Sequence, residues 1–320
     1  MIIDLTLSDD QRMIEDGLQL FLRERLPVER LRNAASHGGA AEHGLWQELS
    51  ELGLFTLGHA EQQGGLGLGL AGEVLAARAL GLVLASPALL AQLAAPHFAE
   101  DAALHAALIA GTTMAAFANS LGGGMAHLID GGAAEQVLLL SPEGAALMHH
   151  SALGEAEITA GMDECVSLAR VSIPTELPAR CVNTDRTSLL VSAYLTGLAQ
   201  ATTNMAVEYA KTREQFGQPI GAFQAIKHQC ADMAARAAAA EAQCFHTAVA
   251  FGNGLDDASE VAAARMLAAR AAIDNAKANV QIHGGMGFTA ECDAHLFLKR
   301  AHLMALLGSC RAAERQRLLG

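Results

Sequence analysis

Apolar and polar positions fall into three textures along the chain. From about Ser8 to Ala110 the pattern is helical. Ser8-Asp9-Asp10-Gln11 has the form of a capping box, a hydroxyl followed three positions on by an amide side chain. Behind it Met13, Leu18, Leu20, Phe21 and Leu22 make a mostly one-sided apolar stripe. A second helix is expected around Leu45–Leu52, ended by Gly53, with Trp46 and Leu49 toward a core. From about Thr113 to Pro178 the apolar runs shorten to strand length: Val137–Leu140, Ala145–Met148 and Ser167–Ile173, separated by Gly and Pro breaks. They predict a small β segment, a reduced barrel or sheet.

From about Thr187 the chain reads as helical to its end. Thr184-Asp185 could cap a first helix running toward Arg213. A second is expected over Phe223–Gly252, a third over Asp257–Val280 with a start at Ser259, and a last over about Ala294–Leu319. Four long alanine-rich helices with short joints predict a bundle. The expected fold is therefore mostly α: an N-terminal helical domain at 1–112, a reduced β domain at 113–180 and a C-terminal four-helix bundle at 181–320.

Two joints of the bundle concentrate polar and glycine residues, Thr212-Arg213-Glu214-Gln215-Phe216-Gly217-Gln218-Pro219-Ile220 and Gln281-Ile282-His283-Gly284-Gly285-Met286-Gly287-Phe288. An arginine at a helix end beside Gln-Phe-Gly suits a phosphate with a planar group next to it, since a guanidinium fork grips phosphate through paired hydrogen bonds. Gly284-Gly285 lets a ligand approach bare backbone.

Charge narrows the partners. The formal net charge is −13, which disfavours nucleic acid. The six cysteines, Cys165, Cys181, Cys230, Cys244, Cys292 and Cys310, show no Cys-x-x-Cys spacing and read as free thiols in a reducing compartment. Met1 leads into an acidic stretch without a basic n-region, so no signal peptide is expected. No apolar run reads as a membrane span. A cytoplasmic protein is the expectation.

Two other features carry little chemistry. Gly67, Gly69 and Gly72 satisfy G-x-G-x-x-G, but no strand precedes them and no acidic residue follows at the required distance. They read as a loop entering the helix Gly72–Leu84. His149-His150 lacks further ligands at metal spacing and reads as a strand end. No metal site is expected.

The order helical domain, small β domain, four-helix bundle resembles the acyl-CoA dehydrogenase family. Glu208-Tyr209-Ala210-Lys211-Thr212-Arg213-Glu214-Gln215-Phe216-Gly217-Gln218-Pro219-Ile220-Gly221-Ala222-Phe223-Gln224 is similar to its bundle signature, and Gln281–Thr289 to its second one. Leu45–Leu49, Gly53-Leu54 and Gly64–Gly67 are similar to its first domain. The resemblance implies FAD held across a subunit boundary. Arg213 would meet the pyrophosphate with Gln215 and Phe216 beside it. Phe223 and Gln224 would lie near the adenosine half, and Gln281, Ile282, Gly284 and Gly285 would add backbone and amide contacts.

The sequence departs from that family at the chemistry. Its reaction needs a glutamate to take the Cα proton of an acyl thioester while flavin takes hydride from Cβ. Counted without gaps, the two family positions for this glutamate fall on Gly308 and Thr187. Asp185 is two residues off and on another helix face. The family's flavin-gripping loop and tryptophan strand are also missing: the region reads Ala116–Gly124, and Trp46 is the only tryptophan. The expectation is a non-catalytic subunit of a heteromeric FAD-dependent acyl-CoA dehydrogenase, with no catalytic residue of its own. It would be paired as α2β2 with a full-length homologue that brings the base, as in bacterial enzymes acting on CoA thioesters of steroid side chains. Two alternatives are a homomeric flavoenzyme using Asp185 or Glu291 as base, and a non-enzymatic scaffold of the same fold.

Overall fold

The Ser8 hydroxyl accepts the Gln11 N–H at 3.1 Å, and the Gln11 amide oxygen accepts the Ser8 N–H at 3.0 Å. This closes the capping box in front of α1 (Asp9–Arg25). In this computed structural model, which describes residues 6–177, 181–255, 257–308 and Leu318, Leu18 and Leu22 of α1 are buried. Met13 and Leu20 are 68% and 59% exposed, so the apolar stripe is narrower than expected. Next come α2 (Ala40–Gly44) and α3 (Trp46–Glu51). Trp46 and Leu49 are buried, and Gly53 turns the chain at φ +83°. The α4 helix (Gly69–Leu82) starts three residues before the expected Gly72; α5 (Pro87–Ala94) and α6 (Ala102–Ile109) complete this part.

The β segment is a six-stranded sheet in the order β4-β3-β1-β2-β6-β5. Its strands are β1 (Ala115–Gly122), β2 (Met125–Ile129), β3 (Gln136–Ser141), β4 (Gly144–His149), β5 (Glu157–Ile158) and β6 (Leu168–Ser172). The β1–β3 pair is parallel and the others antiparallel. Neither β1 nor β2 was among the strand-length runs: β1 is rich in alanine and lacks the β-branched residues that mark a strand, and β2 is only five residues long with a histidine at its centre. The alternation is plain in space: Phe117, Ile129, Leu138 and Leu140 join the main core, while Ala116, Ala118, Val137 and Leu139 form a second core on the other face. His149 and His150 sit at the end of β4, bonded to Ser151 Oγ and Ala134 O at 2.7 Å.

The bundle consists of α7 (Asp185–Thr212), α8 (Gln224–Gly252), α9 (Ala258–His283) and α10 (Ala294–Leu306). The Thr184 side chain does not cap α7; the Asn183 amide oxygen does, accepting the Asp185 N–H at 2.9 Å. Asp257 caps α9, accepting the Ser259 N–H at 2.8 Å. The last helix was expected to run unbroken from about Ala294 to Leu319, but α10 stops at Leu306, where Leu307 turns extended and Gly308 takes φ +64°; residues 309–317, Cys310 among them, and 319–320 lie outside the described residues. Among the described cysteines none is disulfide-bonded, and no described helix is long and apolar enough to cross a membrane.

Helix α7 packs against α4, α8, α9 and α10. Its crossing with α4 has no room for side chains: a Cβ at Gly197 would fall 2.0 Å from Arg78 O, and one at Gly81 2.0 Å from Tyr194 O. One buried cation joins the parts. Arg300 of α10 donates from Nε to Asp163 Oδ2 at 2.5 Å, and from Nη1 to Leu84 O, Ala85 O and Tyr194 Oη at 3.1, 2.8 and 2.9 Å. Burial works against its charge, but Asp163 outweighs that and keeps the guanidinium protonated.

Candidate functional site

The first joint leaves α7 at Arg213, whose N–H still bonds Tyr209 O at 2.8 Å while its backbone turns extended. A tight hairpin follows, β7 (Glu214–Gln215) paired with β8 (Gln218–Pro219). Both residues of its turn have positive φ, Phe216 at +54° and Gly217 at +78°, as a two-residue turn of this hand requires. Glycine takes that conformation freely; phenylalanine does not. Phe216 is also 91% exposed, so no core contact repays the strain. A bulky aromatic held strained in solvent points to a ligand or partner. The Phe223 ring meets it edge-on, with centroids 6.1 Å apart.

Arg213 is exposed, and its guanidinium pairs with no carboxylate among the described residues. Gln215 and Gln224 are exposed as well. No side chain caps the N-terminus of α8, which opens here at Gln224. A free arginine beside the positive end of a 29-residue helix is an arrangement for an anion.

The second joint, at the end of α9, lies at the same end of the bundle. The Tyr209 and His283 rings stack with centroids 4.1 Å apart, and Ile282 packs in one cluster with Ile220 and Ile226. Gly284 has φ +63° and ψ −141°, a region open essentially to glycine alone. Added Cβ atoms at Gly284 and Gly285 would meet nothing within 4 Å, so both present bare backbone to open space. Gln281 is exposed; Ile282 is 5% exposed, which leaves only its backbone for a ligand. The sequence did not single out the stacked Tyr209–His283 pair or the uncapped α8 terminus. The signal for the first was two aromatic rings just inside the two motifs; the second had none.

Thr187 and Gly308, far apart in sequence, line one cavity, closed by Leu140, Val191 and Leu307. It has about 10 Å³ for a guest, room for about one water. No carboxylate lines it among the described residues, and neither Asp185 nor Glu291 reaches it. The Thr187 hydroxyl is buried without a partner. The Gly308 N–H donates to Asn119 Oδ1 at 2.8 Å, and a Cβ there would press on Leu140 at 3.0 Å.

Residues 8–107 match the family model "Acyl-CoA dehydrogenase, N-terminal domain", and residues 180–316 match "Acyl-CoA dehydrogenase, C-terminal domain". The chain is 30% identical over 312 residues to the acyl-CoA dehydrogenase IpdE2 of Mycobacterium tuberculosis, covering 95% of this chain and 94% of that one. It is 39% identical over 184 residues to FadE34 of the same organism, covering 54% of this chain and only 26% of FadE34. Among solved structures, the steroid ACAD Tcur3481-Tcur3483 superposes with TM-score 0.82 at 22% identity, over 98% of this chain and 97% of that one. The ChsE4-ChsE5 complex from Mycobacterium tuberculosis gives TM-score 0.79 at 21% identity, over 99% and 98%. At these identities the structures speak for the fold.

Proposed function

The chain belongs to the acyl-CoA dehydrogenase family, and from that premise we propose that it is the non-catalytic subunit of a heteromeric, FAD-dependent member. It supplies contacts to the ADP half of FAD and depends on a longer homologue for the flavin pocket and the base. The observation that carries this reading is the contrast between its two sites. The Arg213–Phe216 joint is exposed, and the Arg213 guanidinium pairs with no carboxylate among the described residues. The position of the family's base is a small cavity without a carboxylate among the described residues.

The residues present fit the nucleotide end of FAD. Arg213 and the α8 N-terminus would hold the pyrophosphate by charge-assisted hydrogen bonds. Phe216 and Phe223 would cover a flat apolar group. Gly284 and Gly285 would admit backbone contact, with Gln215, Gln224 and Gln281 as donors and acceptors. Bound FAD supplies the two-electron chemistry of the α,β-dehydrogenation. This chain's part is to bind and orient; Thr187 and Gly308 can neither take nor hold a proton at a substrate carbon.

The ChsE4-ChsE5 complex among the structural neighbours supports an assembly of two unlike chains, and the steroid ACAD Tcur3481-Tcur3483 supports a steroid side-chain thioester as substrate. The test is co-expression with a longer homologue that carries the glutamate. One FAD per unlike pair, lost on Arg213→Ala, is expected. A chain that alone purifies with stoichiometric flavin and oxidises acyl-CoA overturns the proposal.

A further inference from the structure

His59, Glu73 and His97 come from three separate segments: the turn after α3, helix α4 and the turn after α5. Their ligating atoms all lie within 4.8 Å of one another. We propose that these three residues form a binding site for a divalent transition ion, Zn²⁺ by the chemistry of the donors. Two imidazole nitrogens and a carboxylate oxygen are a donor set for this ion. A tetrahedral ion with bonds of about 2.1 Å sets its donors about 3.4 Å apart. Seating one therefore closes any donor pair by ~1.4 Å at most, and opens the His97–Glu73 contact, which is 2.7 Å without the ion.

The surroundings hold these donors in place. The Gly64–Gly69 loop, which matched the dinucleotide pattern by coincidence, wraps His59: the Gly67 N–H donates to His59 O at 2.8 Å, and a Cβ at Gly65 would fall 2.0 Å from that oxygen. Gly58 lets the Glu73 carboxylate lie against the backbone, since a Cβ there would sit 2.0 Å from Oε1. His105 Nε2 meets His59 Nδ1 at 3.3 Å, and His59 stacks on His97 with centroids 4.5 Å apart, a stack that one ring must leave for both nitrogens to reach a single ion. Arg186 of α7 bonds Glu73 Oε2 at 2.5 Å, which leaves Oε1 to face His97; Arg186 Nη1 also stands 3.3 Å from His97 Nε2 and must turn from that nitrogen as the ion enters. A carboxylate braced on one oxygen and ligating through the other, and an imidazole oriented by its second nitrogen, are how metal ligands are commonly supported.

Seating the ion breaks the 2.7 Å contact between His97 Nε2 and Glu73 Oε1 and gives both atoms to the metal. His97 and His105 are partly exposed and give a path inward; a water completes the coordination. The site would tie the glycine loop, α4 and the turn after α5 to Arg186 at the start of α7.

The full chain, stripped with chelator and titrated with Zn²⁺ against a chromogenic competitor, is expected to bind one ion. Co²⁺ in its place is expected to give visible absorption bands of a four-coordinate ion and paramagnetically shifted histidine resonances. His59→Gln and His97→Gln should each weaken binding at least ~10-fold, and Arg186→Gln by roughly 10-fold, while the double change His149→Ala, His150→Ala leaves it unchanged. Less than about a tenth of an equivalent bound by the unaltered chain, or Co²⁺ bound without shifted histidine resonances, overturns the proposal without any variant having to fold. Equal affinity in the His59 and His97 variants overturns it as well.

Discussion

Tyr209 and His283 stack face to face, with centroids 4.1 Å apart and 24° between the rings. One lies a single helical turn before Arg213 and the other immediately before Gly284, so the pair fixes the two glycine-bearing joints against each other. Aromatic pairs contribute about 0.5–1.5 kcal/mol beyond their burial. Tyr209→Leu keeps most of the apolar area and removes the stacking. It is expected to lower the thermal midpoint by a few degrees and to reduce flavin retention in the assembled enzyme, measured by absorbance after gel filtration.

Phe216→Asn should move stability and binding in opposite directions. Asparagine tolerates the positive φ of this turn, and Asn-Gly is a favoured pair for it. Unfolding by urea is expected to show a gain of about 0.5–1 kcal/mol. Flavin affinity of the complex should fall about 10-fold, the loss of one aromatic contact worth roughly 1.4 kcal/mol. A variant weakened in both respects would make Phe216 a structural residue.

Arg300→Met would strip the charge from a fully buried network and leave the Asp163 carboxylate, the Leu84 and Ala85 carbonyls and the Tyr194 hydroxyl without their shared donor. Breaking a buried pair from one side costs about 3–5 kcal/mol. Urea denaturation should show a loss of that order, and adding Asp163→Asn to the same chain should recover part of it.

Asp130 gives a pH dependence. It is buried, accepts from Ser86 Oγ at 2.6 Å and from the Ser167 N–H at 2.7 Å, and burial raises it to about 6 against the pull of Ser86 and Arg300, with nearby Glu42 adding to the rise. The folded chain then holds a proton between pH 4 and 6 that the unfolded chain releases. Its contribution to stability is full below about pH 4 and is lost as pH rises through 6, by about 3 kcal/mol in all. Asp130→Asn should remove that fall. Chemical denaturation at a series of pH values, compared between the two chains, checks it.

Long periodic segments were the most readable part of the sequence. The bundle helices, the Ser8 capping box and Gly53 all follow from local chemistry that does not need the rest of the chain. The strands β1 and β2 were not readable, because Ala116 and Ala118 of β1 and Ala126 of β2 are small residues placed only by packing in one cluster with Val137 and Leu139. Arg213, Phe216, Gly284 and Gly285 could be named because each breaks a helical pattern with residues that need a reason. The meeting of Thr187 with Gly308 needed coordinates, as did that of His59 with Glu73 and His97. Such clusters are made by tertiary packing, and sequence spacing alone carries no trace of them.

The α4–α7 crossing has a wider consequence. Where Gly81 and Gly197 meet the opposite backbone there are no side chains to change rotamer, so the contact cannot soften a displacement. A push on one helix reaches the other undiminished, and the two move as a single strut. Any rearrangement within the chain must therefore hinge elsewhere, since this seam has no side chain to yield.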